Sequence, residues 1–409
     1  MHTDQDFTKE VIKRAIERGA TNFGQLLHRS GGMYPAELAA LQKSEDIQPA
    51  QPLTTYDRSI TTTSRQLCLP LIDEQRLSLP APHPLDHDWR FTEATLTYLT
   101  DVIVEITSPG DHILILGAPS VLIGILAKAT ACTITLVDRN SALVNHISAH
   151  GLPERISVLQ RNLFHATALN DVRKAQVIVC DPPWYVEHYT AFIAHAAQAA
   201  TIGATVLVSL LPMSSKSLAL RDRWEILTHA QELGLHVQSI EAGALRYQTP
   251  EFEAASLLAA DITLEGDWRS ADLLTLRKVH ETDPPIVTRH VQRARRILDA
   301  AESVDWEEFV LDGRKIMLRK PIDNPDTTPA LISIEPGDVL KTVSRSYPKR
   351  EHVDLWLWDN RVFGVRGKAA FWTALHALAG CERPSWRPQV SRRNVRIALH
   401  LLRKRLNIS

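Results

Sequence analysis

The chain has 409 residues, of which 44% are apolar, and its 46 Lys and Arg nearly balance its 47 Asp and Glu. At about 100–200 residues per domain, this length predicts two or three domains. The apolar and charged fractions are ordinary and exclude a disordered or fibrous protein. The net charge of −1 excludes a uniformly basic nucleic-acid-binding protein.

Targeting and cysteine patterns point to an ordinary folded protein of a reducing compartment. No apolar run is long enough for a transmembrane helix, and the polar start MHTDQDFTKEVIKR lacks the apolar core of a secretion signal. The four cysteines are 48 or more residues apart and form no CxxC pair or Cys/His cluster. We therefore predict a cytoplasmic protein without a membrane anchor, a disulfide framework or a metal site.

The N-terminal residues 1–47 predict three short helices. Apolar side chains at helical spacing, a Gly-containing break and a proline suited to a first helical turn together resemble a helix-turn-helix or winged-helix module. Such modules bind DNA in many proteins and serve for docking or dimerisation in others, and both roles stay open. Residues 48–88 read as a Pro-rich connector, in which the strand candidates Ser59–Thr63 and Gln66–Ile72 could form a wing.

Residues 89–282 alternate apolar runs with helical patterns. This alternation predicts a Rossmann-like, doubly wound and mainly parallel α/β sheet. Two later runs, HVQSIEA and AASLLAADITL, are expected to be its closing strands. The five earlier strand candidates are residues 111–117, 133–138, 156–160, 175–181 and 203–211.

The composition changes again after Asp283, where two prolines precede a basic helix. Asp312-Gly313 is a strong hairpin signal between two strand-like runs. Residues 283–409 are therefore predicted to form a separate basic α+β domain.

The tetrapeptide Asp181-Pro182-Pro183-Trp184 ends the fourth predicted strand. Open α/β sheets bind their ligands at the carboxyl ends of their strands. Asp181 can accept a hydrogen bond from an amino group, the two prolines stiffen the turn, and Trp184 can stack on a flat base. Together these features favour the positioning of an amine for attack on an electrophilic carbon.

The order of these features resembles that of the class I S-adenosylmethionine-dependent methyltransferase superfamily: Gly117 after strand one, Asp138 after strand two and the DPPW turn after strand four. The resemblance covers about residues 111–264, and DPPW is similar to the motif of its amino-methylating branch. It implies transfer of a methyl group to an amino nitrogen, foremost of a nucleic-acid base, with S-adenosylmethionine as cofactor. The residues it implies for the cofactor are Gly117, Ser120, Asp138 and Asn162, and for the amine they are Asp181, Pro182, Pro183, Trp184 and Tyr185.

The first motif departs from that pattern. The family's acid-x-Gly-x-Gly-x-Gly corresponds here to residues 115–121, Ile-Leu-Gly-Ala-Pro-Ser-Val, so that one glycine remains. Two interpretations stay open: a transferase with an altered cofactor loop, or a catalytically degenerate scaffold that binds no cofactor and acts in a protein or nucleic-acid complex.

The layout is also similar to that of the branched-chain polyamine synthases. That resemblance implies aminopropyl transfer from decarboxylated S-adenosylmethionine. The first motif of that family is a glycine followed by three aspartates, whereas Ala118, Pro119 and Ser120 stand here. A site without those carboxylates should bind a polycation poorly.

The near-zero net charge hides a basic C-terminal segment. Residues 381–409 contain eight Lys and Arg against Glu382 alone. These cations could contact nucleic-acid phosphates, bind an acidic partner protein, or only form a solvated helix face. The candidates are Arg392, Arg393, Arg396, Arg403, Lys404 and Arg405.

Overall fold

The computed structural model divides the chain into two compact units that are discontinuous in sequence. Unit 1 comprises residues 1–79, 89–249 and 264–302, and unit 2 comprises residues 80–88, 250–263 and 303–409. The structure describes residues 4–20, 22–43, 69–70, 76–77, 79–128, 131–264, 266–301, 304–321, 326–380 and 389–406.

Unit 1 is built on a seven-stranded sheet in the order β5-β4-β3-β6-β7-β9-β8. Neighbouring strands from β5 to β7 are parallel, and β9 is antiparallel to both β7 and β8. The predicted mainly parallel α/β sheet is therefore confirmed. Its strands are β3 (His112–Leu116), β4 (Thr133–Asp138), β5 (Ile156–Gln160), β6 (Ala175–Cys180), β7 (Ala200–Leu210), β8 (Leu235–Arg246) and β9 (Ser270–Lys278).

Helices cover this sheet, as its buried central strands require. All five residues of β3 are buried, which accounts for its uninterrupted apolar sequence HILIL. None of the helices in the described ranges is long and apolar enough to cross a membrane. The helices of unit 1 are α1 (Asp4–Glu17), α2 (Phe23–Arg29), α3 (Pro35–Lys43), α4 (Glu93–Ile106), α5 (Pro119–Leu126), α6 (Ser141–Ser148), α7 (Val186–Ala199), α8 (Ala219–Glu232) and α10 (Pro284–Ala301).

One of the two predicted closing strands is wrong. The run AASLLAADITL lies mostly in a helix, α9 (Glu251–Ala259), of unit 2. Pro250 precedes this helix, and Glu251 and Glu253 lie in its first turn, where carboxylates stabilise a helix N-terminus. A short apolar run does not by itself separate helix from strand. The seventh strand of the sheet is instead β9, which lies between β7 and β8 and has buried leucines.

Unit 2 contains a five-stranded antiparallel sheet in the order β10-β11-β13-β14-β12. Asp312 and Gly313 join β10 to β11 with positive φ angles of 50° and 72°, as the hairpin signal predicts. The remaining elements are β10 (Trp306–Leu311), β11 (Arg314–Arg319), β12 (Ala330–Ser333), β13 (Leu355–Leu357), β14 (Val362–Arg366), α11 (Lys368–Ala379), α12 (Arg392–Leu406) and short 3₁₀ turns at Pro336–Asp338 and Pro348–His352.

The domain boundaries differ from those expected at two places. The basic helix α10, which the sequence assigns to the domain 283–409, packs against α7 and belongs to unit 1. The three helices expected in residues 1–47 are present as α1 to α3, and they also belong to unit 1. The strand candidate Ser59–Thr63 lies outside the described residues, and of Gln66–Ile72 only the two-residue strand β1 (Leu69–Pro70) is described, paired with β2 (Arg76–Leu77).

A buried ion pair joins α8 to the antiparallel edge of the sheet. Arg223 Nη1 lies 2.5 Å from Asp272 Oδ2 and donates a second hydrogen bond to the Leu211 carbonyl at 2.7 Å. The other oxygen of Asp272 accepts the Gly243 amide at 2.9 Å. Both side chains are buried, so each charge depends on the other for compensation.

Arg223→Ala should lower the free energy of unfolding by about 3–5 kcal/mol, because it leaves the Asp272 carboxylate buried without a counter-charge. The double variant Arg223→Met with Asp272→Asn removes both charges, keeps an acceptor for the Gly243 amide and should recover most of the loss. Urea denaturation measures both effects. As a control, Arg161→Ala breaks an exposed pair with Asp171 and should cost less than about 1 kcal/mol; equal losses in the two single variants would contradict this account.

Candidate active site

The carboxyl edge of the parallel sheet collects the residues that the sequence singles out. Gly117 follows β3, Asp138 ends β4, Asn162 follows β5 and Asp181 follows β6. The strand order reverses between β3 and β6, and such a reversal opens the crevice in which α/β sheets bind ligands. Gly117 and Asp181 stand on either side of it.

Two hydroxyl groups hold the Asp181 carboxylate. Tyr247, after β8, donates a hydrogen bond to Asp181 Oδ1 at 2.7 Å, and Ser209 of β7 donates to the same oxygen. Burial raises the pKa of Tyr247 well above its usual value of 10, with a further rise from the nearby Asp181 charge, so the phenol keeps its proton and donates. Sequence reasoning missed both partners, although Ser209 stands out as a polar residue within an apolar strand.

The turn after Asp181 is fixed by main-chain bonds. The Tyr185 amide donates to the Pro183 carbonyl at 2.6 Å, and Lys216 Nζ donates to the Trp184 carbonyl at 3.0 Å. Pro182 is buried, whereas Pro183 and Tyr185 are half-buried. The turn is thus rigid, as its two prolines predict.

Trp184 lies under an arginine of its own chain. The Arg269 guanidinium carbon is 3.8 Å from the centre of the Trp184 ring and 4.2 Å from that of Trp89, with Tyr247 at 5.4 Å. Arg269 is 8% exposed and Trp184 is 3% exposed. The sequence predicts an indole that stacks on a base, but in the structure this ring faces a buried cation.

The guanidinium is held mainly by these rings. Its Nε is buried and has no hydrogen-bond partner among the described residues. Cation–π contacts of a desolvated guanidinium contribute about 2 kcal/mol each, which offsets part of its desolvation cost. We call Arg269 with Trp89, Trp184 and Tyr247 the arginine cage.

The N-terminal helices pack beside this cage. The Tyr34 ring lies 6.0 Å from Trp184 and 6.2 Å from Trp268, and the Tyr34 amide donates to the Ser215 carbonyl at 3.0 Å. A side chain at Gly32 would meet the Ser270 carbonyl oxygen at 3.1 Å. The module that resembles a DNA-binding unit therefore has one face buried against the candidate site.

The glycine turn after β3 is closely packed. Gly117 has φ +64°, and a Cβ there would lie 2.8 Å from Cε1 of Phe192 on α7. Helix α5 starts directly afterwards, at Pro119, so Pro119 and Ser120 are buried residues of its first turn. The expected loop is replaced by a tight strand-to-helix connection.

Asp138 and Asn162 are each tied to a local turn. Asp138 Oδ1 accepts the Asn140 amide at 2.8 Å, and Asn162 Oδ1 accepts the Phe164 amide at 3.0 Å. Both residues are half-buried. These bonds fix the direction of the two side chains while leaving acceptor capacity on a carboxylate.

The basic helix α12 is a separate candidate surface, in unit 2. Asn394, Ala398 and Leu402 form its buried face, and Arg405 pairs with Asp338 at 3.2 Å. Residues 381–388 of the basic segment lie outside the described residues. The predicted cations Arg392, Arg393, Arg396, Arg403, Lys404 and Arg405 are all exposed.

No protein-family model matches the sequence, and no curated protein is significantly similar to it. Among solved structures the chain is similar to the branched-chain polyamine synthase of Thermus thermophilus in complex with N4-aminopropylspermidine and 5′-methylthioadenosine, at 15% identity and a TM-score of 0.49 over 68% of this chain and 88% of that one.

Two further similar structures have lower TM-scores. TrmN from Thermus thermophilus has 15% identity and a TM-score of 0.31 over 45% of this chain and 49% of that one. Magnesium protoporphyrin IX methyltransferase from Synechocystis, with bound S-adenosylmethionine, has 14% identity and a TM-score of 0.32 over 45% and 78%. Identities this low do not carry an activity from those proteins to this chain.

The contact between the N-terminal helices and the site should depend on pH through Glu37. Burial raises the pKa of this α3 carboxyl from 4.5 to about 7, although the nearby Lys216 opposes the rise. An acid whose folded pKa is raised stabilises the fold at low pH and loses that contribution as pH rises through the folded value. The free energy of unfolding should therefore fall between pH 4.5 and about 7.

Glu37→Gln cannot ionise and should remove this part of the pH profile, so that the variant gains stability over the wild type above pH 7. Denaturant titrations on both sides of that pH measure the difference. Glu17→Gln, on the exposed surface of α1, is the matched control and should keep the wild-type profile. A Glu37→Gln profile parallel to that of the wild type would show that the carboxyl is not buried against the site.

Proposed function

We propose that unit 1 is an S-adenosylmethionine-dependent transferase of the class I methyltransferase type that methylates an amino nitrogen. The observation that carries this proposal is the position of Asp181 at the strand-order reversal, with its carboxylate oriented by Tyr247 and Ser209. The same edge presents an acid after the neighbouring strand β4 and a glycine turn after β3.

The residues of the cofactor side fit S-adenosylmethionine in part. When bound, this group supplies an electrophilic methyl carbon on a positively charged sulfur. The Asp138 carboxylate would accept hydrogen bonds from the ribose hydroxyls, and Asn162 would lie on the adenine side. The positive φ of Gly117 would bring the main chain close to the cofactor. Ser120 is 2% exposed in the first turn of α5, so we do not assign it a direct contact.

On the acceptor side, the residues of the chain would orient the amine and would not activate it chemically. A carboxylate has about four acceptor positions, so Asp181 can receive an amine hydrogen in addition to its two hydroxyl donors. Holding the nitrogen in line with the methyl carbon supplies most of the rate in such a transfer. Because Trp184 is covered by Arg269, stacking on the acceptor falls to the half-buried Tyr185.

The arginine cage disfavours a cationic acceptor. Its rings already surround a guanidinium, and a polyamine would bring further positive charge next to it. This favours a neutral acceptor such as the exocyclic amino group of a nucleic-acid base over a polyamine, whose other nitrogens carry positive charge.

A second candidate function is a scaffold that has lost catalysis. It is favoured by the closed packing on both sides of the edge: the Phe192 ring against Gly117, and Arg269 against Trp184. In this alternative unit 1 acts as a scaffold in a protein or nucleic-acid complex.

Calorimetry with S-adenosylmethionine separates the two candidates. The wild type should bind it, and Asp138→Ala should weaken binding at least about tenfold, since hydrogen bonds to a charged group contribute roughly 1.5–3 kcal/mol. Asp181→Asn should leave the cofactor affinity unchanged and abolish methyl transfer to RNA or DNA. Asp171→Ala, an exposed acid, is the control.

Two results would contradict the proposal, the first for the activity and the second for the role of Asp181. One is a folded protein that binds neither S-adenosylmethionine nor its decarboxylated form, which would favour the scaffold. The other is methyl transfer that survives Asp181→Asn unchanged, which would remove Asp181 from the acceptor site. Preferred binding of the decarboxylated form would favour aminopropyl transfer instead.

We further propose that α12 binds the phosphates of a nucleic acid. Its cations are exposed at both ends of the helix, and its apolar face is occupied by packing within unit 2. Each phosphate contact contributes about 0.9 to the slope of log K against log salt for duplex DNA. A triple change of Arg392, Arg393 and Arg396 to Ala should therefore reduce the slope by roughly 2–3.

The matched control changes three cations of α1, Lys9, Lys13 and Arg14, to Ala. Fluorescence anisotropy with duplex and single-stranded oligonucleotides over a salt series measures all slopes. A reduced slope in the α1 triple alone would assign the binding to the N-terminal module. An affinity that does not vary with salt would contradict phosphate contacts and favour an acidic protein as the partner of α12.

A further inference from the structure

Helix α10 brings one side chain next to two side chains of α8, a helix that is distant from it in the sequence. His229 and Glu232 lie one turn apart on α8, and His290 lies on α10. One ligand atom from each residue lies within 4.8 Å of the others. Because His290 is distant from the other two residues in the sequence, no local sequence motif marks this cluster. We call it the α8–α10 cluster.

Its dimensions are close to those of a tetrahedral metal site. Ligand atoms about 2.0–2.1 Å from a zinc ion lie roughly 3.3 Å from one another. His290 Nε2 is already 3.4 Å from Glu232 Oε2, and the two imidazole rings meet edge to face with centroids 5.0 Å apart. Small side-chain movements, chiefly of Glu232, would place all three ligand atoms at bonding distance from one shared metal ion.

A hydrogen bond from α7 sets the tautomer of His229. The Thr190 hydroxyl donates to the Val186 carbonyl at 2.8 Å, so at 3.1 Å from His229 Nδ1 it accepts the ring N–H. This assignment follows from the hydrogen-bond network. It leaves the lone pair on Nε2. Histidine ligands of metals are usually oriented in this way, by donating the N–H of the other ring nitrogen to a protein acceptor.

His290 contributes a buried imidazole to the cluster. Its side chain is about 90% buried, and its Nε2 lies 3.4 Å from Glu232 Oε2, so Nε2 is the atom that it offers to an ion.

The charges around the cluster are compatible with a bound cation. Glu225 lies 3.8 Å from His229 Nε2 and is held by Arg293 at 3.0 Å, and Arg289 is the other cation near His290. Glu232 is the remaining carboxylate, and its side chain is 54% exposed, which gives an ion a route from solvent. A divalent ion would add positive charge where one carboxylate lacks an arginine counter-charge among the described residues.

We propose that His229, Glu232 and His290 form a binding site for a divalent transition-metal ion, with Zn²⁺ as the best match. Two neutral imidazoles and one carboxylate are the ligand set and number that zinc accepts, with a fourth position open to water. The ion would tie α8 to α10. This proposal does not depend on the transferase activity, since the cluster lies on helices and not at the strand-order reversal.

Calorimetric titration of chelator-treated, tag-free protein with ZnCl₂ tests the site. We expect one ion per chain at the tightest site. Glu232→Ala, which removes a mainly exposed side chain, should weaken zinc binding more than the roughly 10–100-fold typical of residues that only orient a metal ligand. His290→Ala should have the same effect. Thr190→Val keeps the side-chain shape, removes the acceptor for His229 Nδ1–H and should weaken binding roughly 10–100-fold.

Controls are needed because the chain has 17 histidines. His236→Ala and Glu105→Ala change exposed residues elsewhere and should leave the zinc affinity unchanged. The midpoint of thermal unfolding should rise with zinc in the wild type and the controls, and not in Glu232→Ala. Folded wild type that takes up no zinc, or uptake equal in Glu232→Ala and wild type, would overturn the proposal.

Discussion

A guanidinium group buried between two indole rings is the contact on which the candidate site depends. Arg269 directly precedes β9, Trp89 precedes α4, and Trp184 belongs to the turn after β6. Removing a charged group from water costs several kcal/mol unless other groups compensate. The rings provide that compensation through their electron-rich faces, so the positions of three distant segments are coupled through one side chain.

The cage and the Asp181 carboxylate form one electrostatic unit. Tyr247 belongs to both, since its ring faces Arg269 and its hydroxyl donates to Asp181. The Asp181 charge raises the pKa of Tyr247 while the Arg269 charge lowers it, which shows that both charges act on the same phenol. The carboxylate and the guanidinium therefore share one buried phenol. This arrangement is the reason that we propose an uncharged nitrogen as the acceptor.

Much of the fold could be predicted because the central parallel strands are buried and their sequences are apolar runs. β4 and β5 begin and end where their sequences predict, and DPPW lies at the end of β6. The exchange of α9 for β9 escaped prediction because a short apolar run fits either element until its tertiary neighbours are known. The arginine cage escaped it for another reason: Trp89 and Arg269 are 180 residues apart, and no local pattern marks a cation–π contact. Trp184 was therefore expected to be open to a ligand.

The turn after β3 explains why the proposed cofactor contacts are few. In a glycine-rich loop the main chain approaches a ligand because no side chain intervenes. Here Pro119 starts α5 immediately after Ala118, and the side chains from Pro119 onward are buried in the helix. The connection after β3 is thus short and closely packed. In the proposed transferase, contact with a nucleoside therefore depends on the half-buried Asp138 and on the main chain at Gly117, where the φ angle is positive.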